Sequence, residues 1–179
     1  MLQLKKLSHD AVSILKARWI DQLNDIIEST GATYLASDFE RIFDWCDKHC
    51  EDNSSDSVYI LETEDGQPRA VSEIVDASRA KDPSLKFLNV YMEPSLCTDW
   101  RERLDSATMI DITHVLAAVV AGAAELAAEK GINKLKIYSR TEEMNGVFDA
   151  LLSLPGSEVP EGFKLYKQGY KWLVIEMET

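Results

Sequence analysis

Apolar residues recur at helical spacing through Val12, Leu15, Trp19, Leu23 and Ile26 or Ile27, which predicts an amphipathic helix. Ser8 stands where such a helix needs an N-cap, and Gly31 where a left-handed residue would stop it. Ahead of it "LQLKKLS" alternates and predicts a first strand. "SDFERIFDWCDKHC" opens with Ser37 and Glu40 at capping-box spacing and predicts a second, shorter amphipathic helix. The polar run "EDNSSDS" then predicts a loop.

"SVYILETEDGQPRAVSEIVDAS" predicts two strands joined at Glu64-Asp65-Gly66-Gln67, with Asp-Gly supplying the turn. "KFLNVYMEP" follows as a strand that places Phe87, Asn89 and Tyr91 on one face and Leu88, Val90 and Met92 on the other. Pro94 ends its ladder, because proline has no N–H to donate. "SATMIDITHVLAAVVAGAAELAAEKG" predicts a long helix stopped by Gly131, and its alanines on all sides predict burial against a sheet. "NKLKIYSR" reads as a strand and "TEEMNGVFDALLSL" as a short helix. "FKLYKQGYKWLVIEME" reads as a strand pair or one strand broken at glycine. The order is β, α, α, β, β, β, α, β, α, β, β. That is an α/β domain over residues 1–179, with a mixed, mostly antiparallel sheet and a central β-α-β crossover.

Charge narrows the partners. The net charge is −12, and residues 51–115 hold fourteen acidic groups against six basic ones. Such a field repels nucleic acid and anionic membranes and favours a cationic acceptor. The longest apolar stretch, Val115 to Ala128, is too short to span a bilayer and is interrupted by Glu125. The opening "MLQLKKLSHD" lacks the apolar core of a signal peptide. Three cysteines (Cys46, Cys50, Cys97) do not suit a disulfide framework, so a reducing, cytoplasmic setting is expected. Cys46, His49 and Cys50 share one helix, but a zinc site needs about four ligands, so no metal is expected.

The element order resembles the GNAT superfamily of N-acetyltransferases over nearly the whole chain. The likeness is carried by "VYILETEDGQPRAVSEI", "LNVYMEP", "AAELAAEKGINKLKIYS", "MNGVFDALL" and "GFKLY" in that order. The resemblance implies an acyl-CoA-dependent N-acyltransferase acting on a small, cationic amine, and it leaves a homodimer open. It also implies an opening between two central strands that takes the pantetheine arm of acetyl-CoA. Val90, Tyr91 and Met92 would present backbone N–H and C=O groups to that arm. Asn145 matches the asparagine of the family's last helix.

Two departures follow. The family's glycine-rich turn would cradle a pyrophosphate at the start of the long helix, yet no glycine occurs between Gly66 and Gly122. Counting back from Gly131 places that start near Asp111, with Ser106 to Met109 as the alternative. The coenzyme loop is therefore divergent or degenerate, and Arg101 and Arg103 are the residues that could hold the phosphates instead, unless Asp99, Glu102 and Asp105 neutralise them. The family's tyrosine acid would fall near Leu152 or Ser153, leaving Tyr138, with Tyr91 and Tyr166 as substitutes. Glu73, mid-strand, is the base candidate. A lapsed GNAT-like domain that binds or regulates is the alternative function.

Overall fold

The computed structural model describes residues 2–51, 57–97, 105–139, 145, 149, 152–153 and 162–177. Its elements are β1 (Leu2–Lys6), α1 (His9–Thr30), α2 (Tyr34–Glu51), β2 (Val58–Thr63), β3 (Pro68–Asp76) and β4 (Leu85–Met92). After a 3-10 turn at Pro94–Leu96 come α3 (Ser106–Glu129), β5 (Lys134–Tyr138), β6 (Phe163–Gln168) and β7 (Trp172–Met177). Asn145, Asp149 and Leu152 are helical, within the segment expected to form the last helix. Seven strands form one sheet in the order β1-β2-β3-β4-β5-β7-β6. β4 and β5 pair in parallel at Leu85↔Leu135, Lys86↔Lys136 and Phe87↔Ile137. The ladders of β1 with β2, β2 with β3, β5 with β7 and β6 with β7 are antiparallel. This is the mixed sheet and the β-α-β crossover that the sequence predicts. The chain forms two compact units, Met1–Glu73 with Val90–Gly122, and Ile74–Asn89 with Ala123–Thr179.

In the first unit α1 starts where Ser8 accepts a hydrogen bond from the Ala11 N–H and ends where Gly31, at φ 75°, bonds back to the Ile27 carbonyl. Its inner stripe is Val12, Leu15, Trp19, Leu23 and Ile26, the spacing read from the sequence. Trp19 is wholly buried; its indole N–H donates to the Pro68 carbonyl at 3.1 Å and its ring meets Phe39 edge-on at 5.7 Å. A buried indole needs such an acceptor, and here it ties α1 to the start of β3. α2 begins at Tyr34, three residues before the expected cap. Ser37 lies inside the first turn and donates to the Tyr34 carbonyl, so Ser37 and Glu40 are not a capping box.

α3 starts at Ser106, the earlier of the two positions the sequence leaves open. Asp105 caps it, accepting from the Thr108 N–H at 2.8 Å and the Thr108 hydroxyl at 2.9 Å. Asp111 lies in the second turn, exposed. The helix buries Val115, Val119, Ala123 and Ala127, while Ala121 and Ala128 are exposed, so the contact is one stripe rather than alanines on all sides. With 24 residues and high mean hydropathy, α3 is long and apolar enough to cross a bilayer, by length and composition only. Gly122 marks the tightest approach. A Cβ there would lie 2.5 Å from the Leu4 Cβ on β1.

In the second unit Lys136, on β5, is buried and donates to Asp82 and to the Gln168 side chain, each at 2.6 Å. Asp82 also accepts from Lys134 at 3.0 Å. Hydrogen bonds from Lys136, then Lys134, hold the Asp82 carboxyl down at about 2. Tight reversal at Gly169, φ 66°, joins β6 to β7, so the C-terminal run is a strand pair.

Candidate functional site

The end of β4 is fixed from behind by a buried carboxylate. Glu93, 4% exposed, lies with its Oε1 3.0 Å from the Arg69 Nε of β3 and accepts from the Gln22 amide of α1 at 2.9 Å. The Arg69 pair is an ion pair whose Nε–H falls short of hydrogen-bond geometry. Gln22 also accepts from the Ser95 N–H at 3.2 Å, and the Glu93 N–H donates to the Arg69 carbonyl at 3.0 Å. Two elements of the first unit therefore grip the strand where Pro94 ends it. The sequence carried a signal for this: Phe87, Asn89, Tyr91 and Glu93 share one face at period two.

In front of that strand end lies a half-open cavity of about 530 Å³. Val90, Tyr91 and Met92 form one wall, and α2 forms another with Leu35, Asp38, Phe39, Arg41 and Ile42. Leu96 and Cys97 after the strand, and Ile112 of α3, complete the described lining. Three residues singled out from the sequence thus stand together on one cavity. The α2 wall was not legible, because nothing local says which stripe faces β4. The volume suits a small organic ligand. Tyr91 is braced from below by Trp45, edge-on at 5.4 Å.

The other expected residues are placed separately. Glu73 is half-buried on β3, opposite Val58. Tyr138, in the second unit, packs against Trp172 at a tilt, ring centroids 4.9 Å apart, with the Lys171 ammonium 5.7 Å from its ring. Tyr166 donates to Glu176 at 3.1 Å; burial and that carboxylate push its pKa up. Asn145 is buried, and its Oδ1 has no hydrogen-bond partner among the described residues. Arg101 and Arg103 lie outside the described residues.

The thiols and histidines take ordinary structural roles. Burial pushes the Cys46 thiol up to about 12, with Cys50 and Asp47 adding to it, so it is not a nucleophile at neutral pH. The His49 Nδ1 lies 2.8 Å from the Trp45 carbonyl one turn back, and His114 is exposed on α3. No cluster of three metal-binding side chains exists among the described residues.

No family model matches the chain, and no curated protein matches it. Among solved structures the chain is similar to the PaiA N-acetyltransferase of Thermoplasma acidophilum in complex with coenzyme A, at 14% identity and TM-score 0.48 over 99% of both chains. It is similar to a GNAT-family acetyltransferase of Listeria monocytogenes at 13% identity and TM-score 0.48, over 98% of this chain and 94% of that one. A mutant form of the spermidine/spermine N-acetyltransferase SpeG of Vibrio cholerae aligns at 15% identity and TM-score 0.40, over 98% and 93%. The strand order and the parallel β4/β5 pair at the crossover are consistent with a GNAT-like fold. Identities this low say nothing of substrate, and the site's chemistry is read from this chain's own side chains.

Proposed function

We propose that the chain, acting as one unit over residues 1–179, is an acyl-CoA-dependent N-acyltransferase for a small amine. The observation that carries the reading is the end of β4. Val90, Tyr91 and Met92 wall a cavity of ligand size and are held in place by the buried Glu93. When bound, acyl-CoA would supply the thioester carbonyl. The amine then forms the C–N bond, the C–S bond breaks, and one proton passes overall from nitrogen to sulfur. Glu73, in the same unit as the cavity, is the candidate to accept that proton. Backbone groups of Val90 to Met92 suit the amide-rich arm.

The phosphates fit less well. At the start of α3 the Thr108 N–H and hydroxyl are already taken by Asp105, so an anion arriving there meets a carboxylate. In this reading Arg101 and Arg103 hold the phosphates, each contact contributing about 1.5–3 kcal/mol. The same Asp105 cap favours a second reading, a GNAT-like domain that no longer binds coenzyme and serves as a binding module.

Calorimetric titration with acetyl-CoA separates the two. Binding that weakens at least tenfold in the Arg101→Ala, Arg103→Ala double variant, with the fold intact by circular dichroism, supports the enzyme. Unchanged affinity in that variant removes the arginines from the site. No heat at millimolar coenzyme leaves the binding module.

A further inference from the structure

The net charge of −12 favours a cationic acceptor, but the described lining of the cavity at the end of β4 balances one acidic group against one basic group. The charged side chains of its described lining are one carboxylate, Asp38, and one guanidinium, Arg41; Tyr91 and Cys97 are its other polar side chains. They sit one turn apart on α2, Arg41 Nη2 3.5 Å from Asp38 Oδ1, with side chains 79% and 47% exposed respectively. A pair that long and that wet is weak and readily exchanged for other partners. The rest of the described lining carries no charge, and Leu35, Phe39 and Leu96 within it are buried.

Charge balance selects the ligand. An ammonium drawn to Asp38 leaves Arg41 without its anion, and a carboxylate drawn to Arg41 leaves Asp38 without its cation. A ligand carrying both charges satisfies both side chains at once, and a planar guanidinium is well suited to a carboxylate. The apolar interior then asks for an apolar body on that zwitterion. A polyamine carries no carboxylate for Arg41, and its further ammonium groups meet no second carboxylate among the described lining.

We propose that this cavity binds an α-amino acid with an apolar side chain, its ammonium towards Asp38, its carboxylate towards Arg41 and its side chain inward. The ligand class stands on the lining alone. That the bound amino group is the one acylated rests on the acyltransferase reading above.

The test titrates the full chain, with and without coenzyme A, with four probes: L-phenylalanine, phenethylamine, 3-phenylpropionate and spermidine. L-Phenylalanine is expected to bind at least tenfold tighter than phenethylamine or 3-phenylpropionate, and spermidine not at all. Arg41→Ala should abolish the preference over phenethylamine, and Asp38→Asn the preference over 3-phenylpropionate. Both side chains are solvent-exposed, so both variants should keep the fold. Tighter binding of spermidine, no binding of L-phenylalanine, or a preference unmoved by both variants overturns the proposal. Coenzyme binding without amino-acid binding defeats this inference and spares the enzyme reading; amino-acid binding without coenzyme binding does the reverse.

Discussion

Removing Arg69 should show how strongly the end of β4 depends on the buried Glu93. In Arg69→Met the Glu93 carboxylate, only 6% exposed, loses its cation and keeps the Gln22 amide at 2.9 Å. Breaking a fully buried ion pair on one side costs about 3–5 kcal/mol. Leaving one polar group short of a partner costs about 1–3 kcal/mol. Arg69 is 28% exposed and its Nε–H falls short of hydrogen-bond geometry, while Gln22 remains, so the structure argues for about 2–3 kcal/mol. With a urea slope of about 2 kcal/mol/M, the unfolding midpoint should fall by about 1–1.5 M. Adding Glu93→Leu to Arg69→Met should recover part of the loss, because the unpaired charge then disappears. Urea titrations followed by tryptophan fluorescence and by far-ultraviolet circular dichroism measure both variants. A midpoint within about 0.2 M of the parent in Arg69→Met, or a double variant no better than Arg69→Met, would refute the reasoning.

Two further outcomes are expected. Gly122→Ala should destabilise the protein by about 1–3 kcal/mol, because the new Cβ meets the Leu4 Cβ at 2.5 Å and neither atom can rotate away. Helix propensity alone predicts a gain of about 0.5–1 kcal/mol, so an unfolding midpoint that rises would show that α3 does not press on β1 there. For Asp82, the carboxyl held at about 2 by Lys136 and Lys134 has a depressed folded value. Its contribution is therefore present above the unfolded value of about 3.9 and is lost as pH falls towards 2. The stability difference between the parent and Asp82→Asn should be full at pH 5 and mostly lost by pH 2; a difference constant across that window would refute the assignment.

The local signals in the chain were strong and were enough to fix its elements. Ser8 and Gly31 set the ends of α1 because capping and left-handed geometry depend on single residues. Asp65-Gly66 set the β2–β3 hairpin for the same reason, and the β4-α3-β5 order implied a parallel pair because crossovers have one hand. Val90, Tyr91 and Met92 were picked out by the proline that follows them, and they line the cavity. What only the tertiary structure decided are the meetings between distant segments. Asp105, rather than a residue near Asp111, heads α3, since several turns of an apolar helix look alike until a cap is seen. Glu93 is buried because Arg69 and Gln22, 24 and 71 positions away, come to it. Asp38 and Arg41 read in sequence as a solvated helical pair. They become the charged members of the cavity's described lining only when α2 is laid against the end of β4, a choice made by long-range packing and not by periodicity.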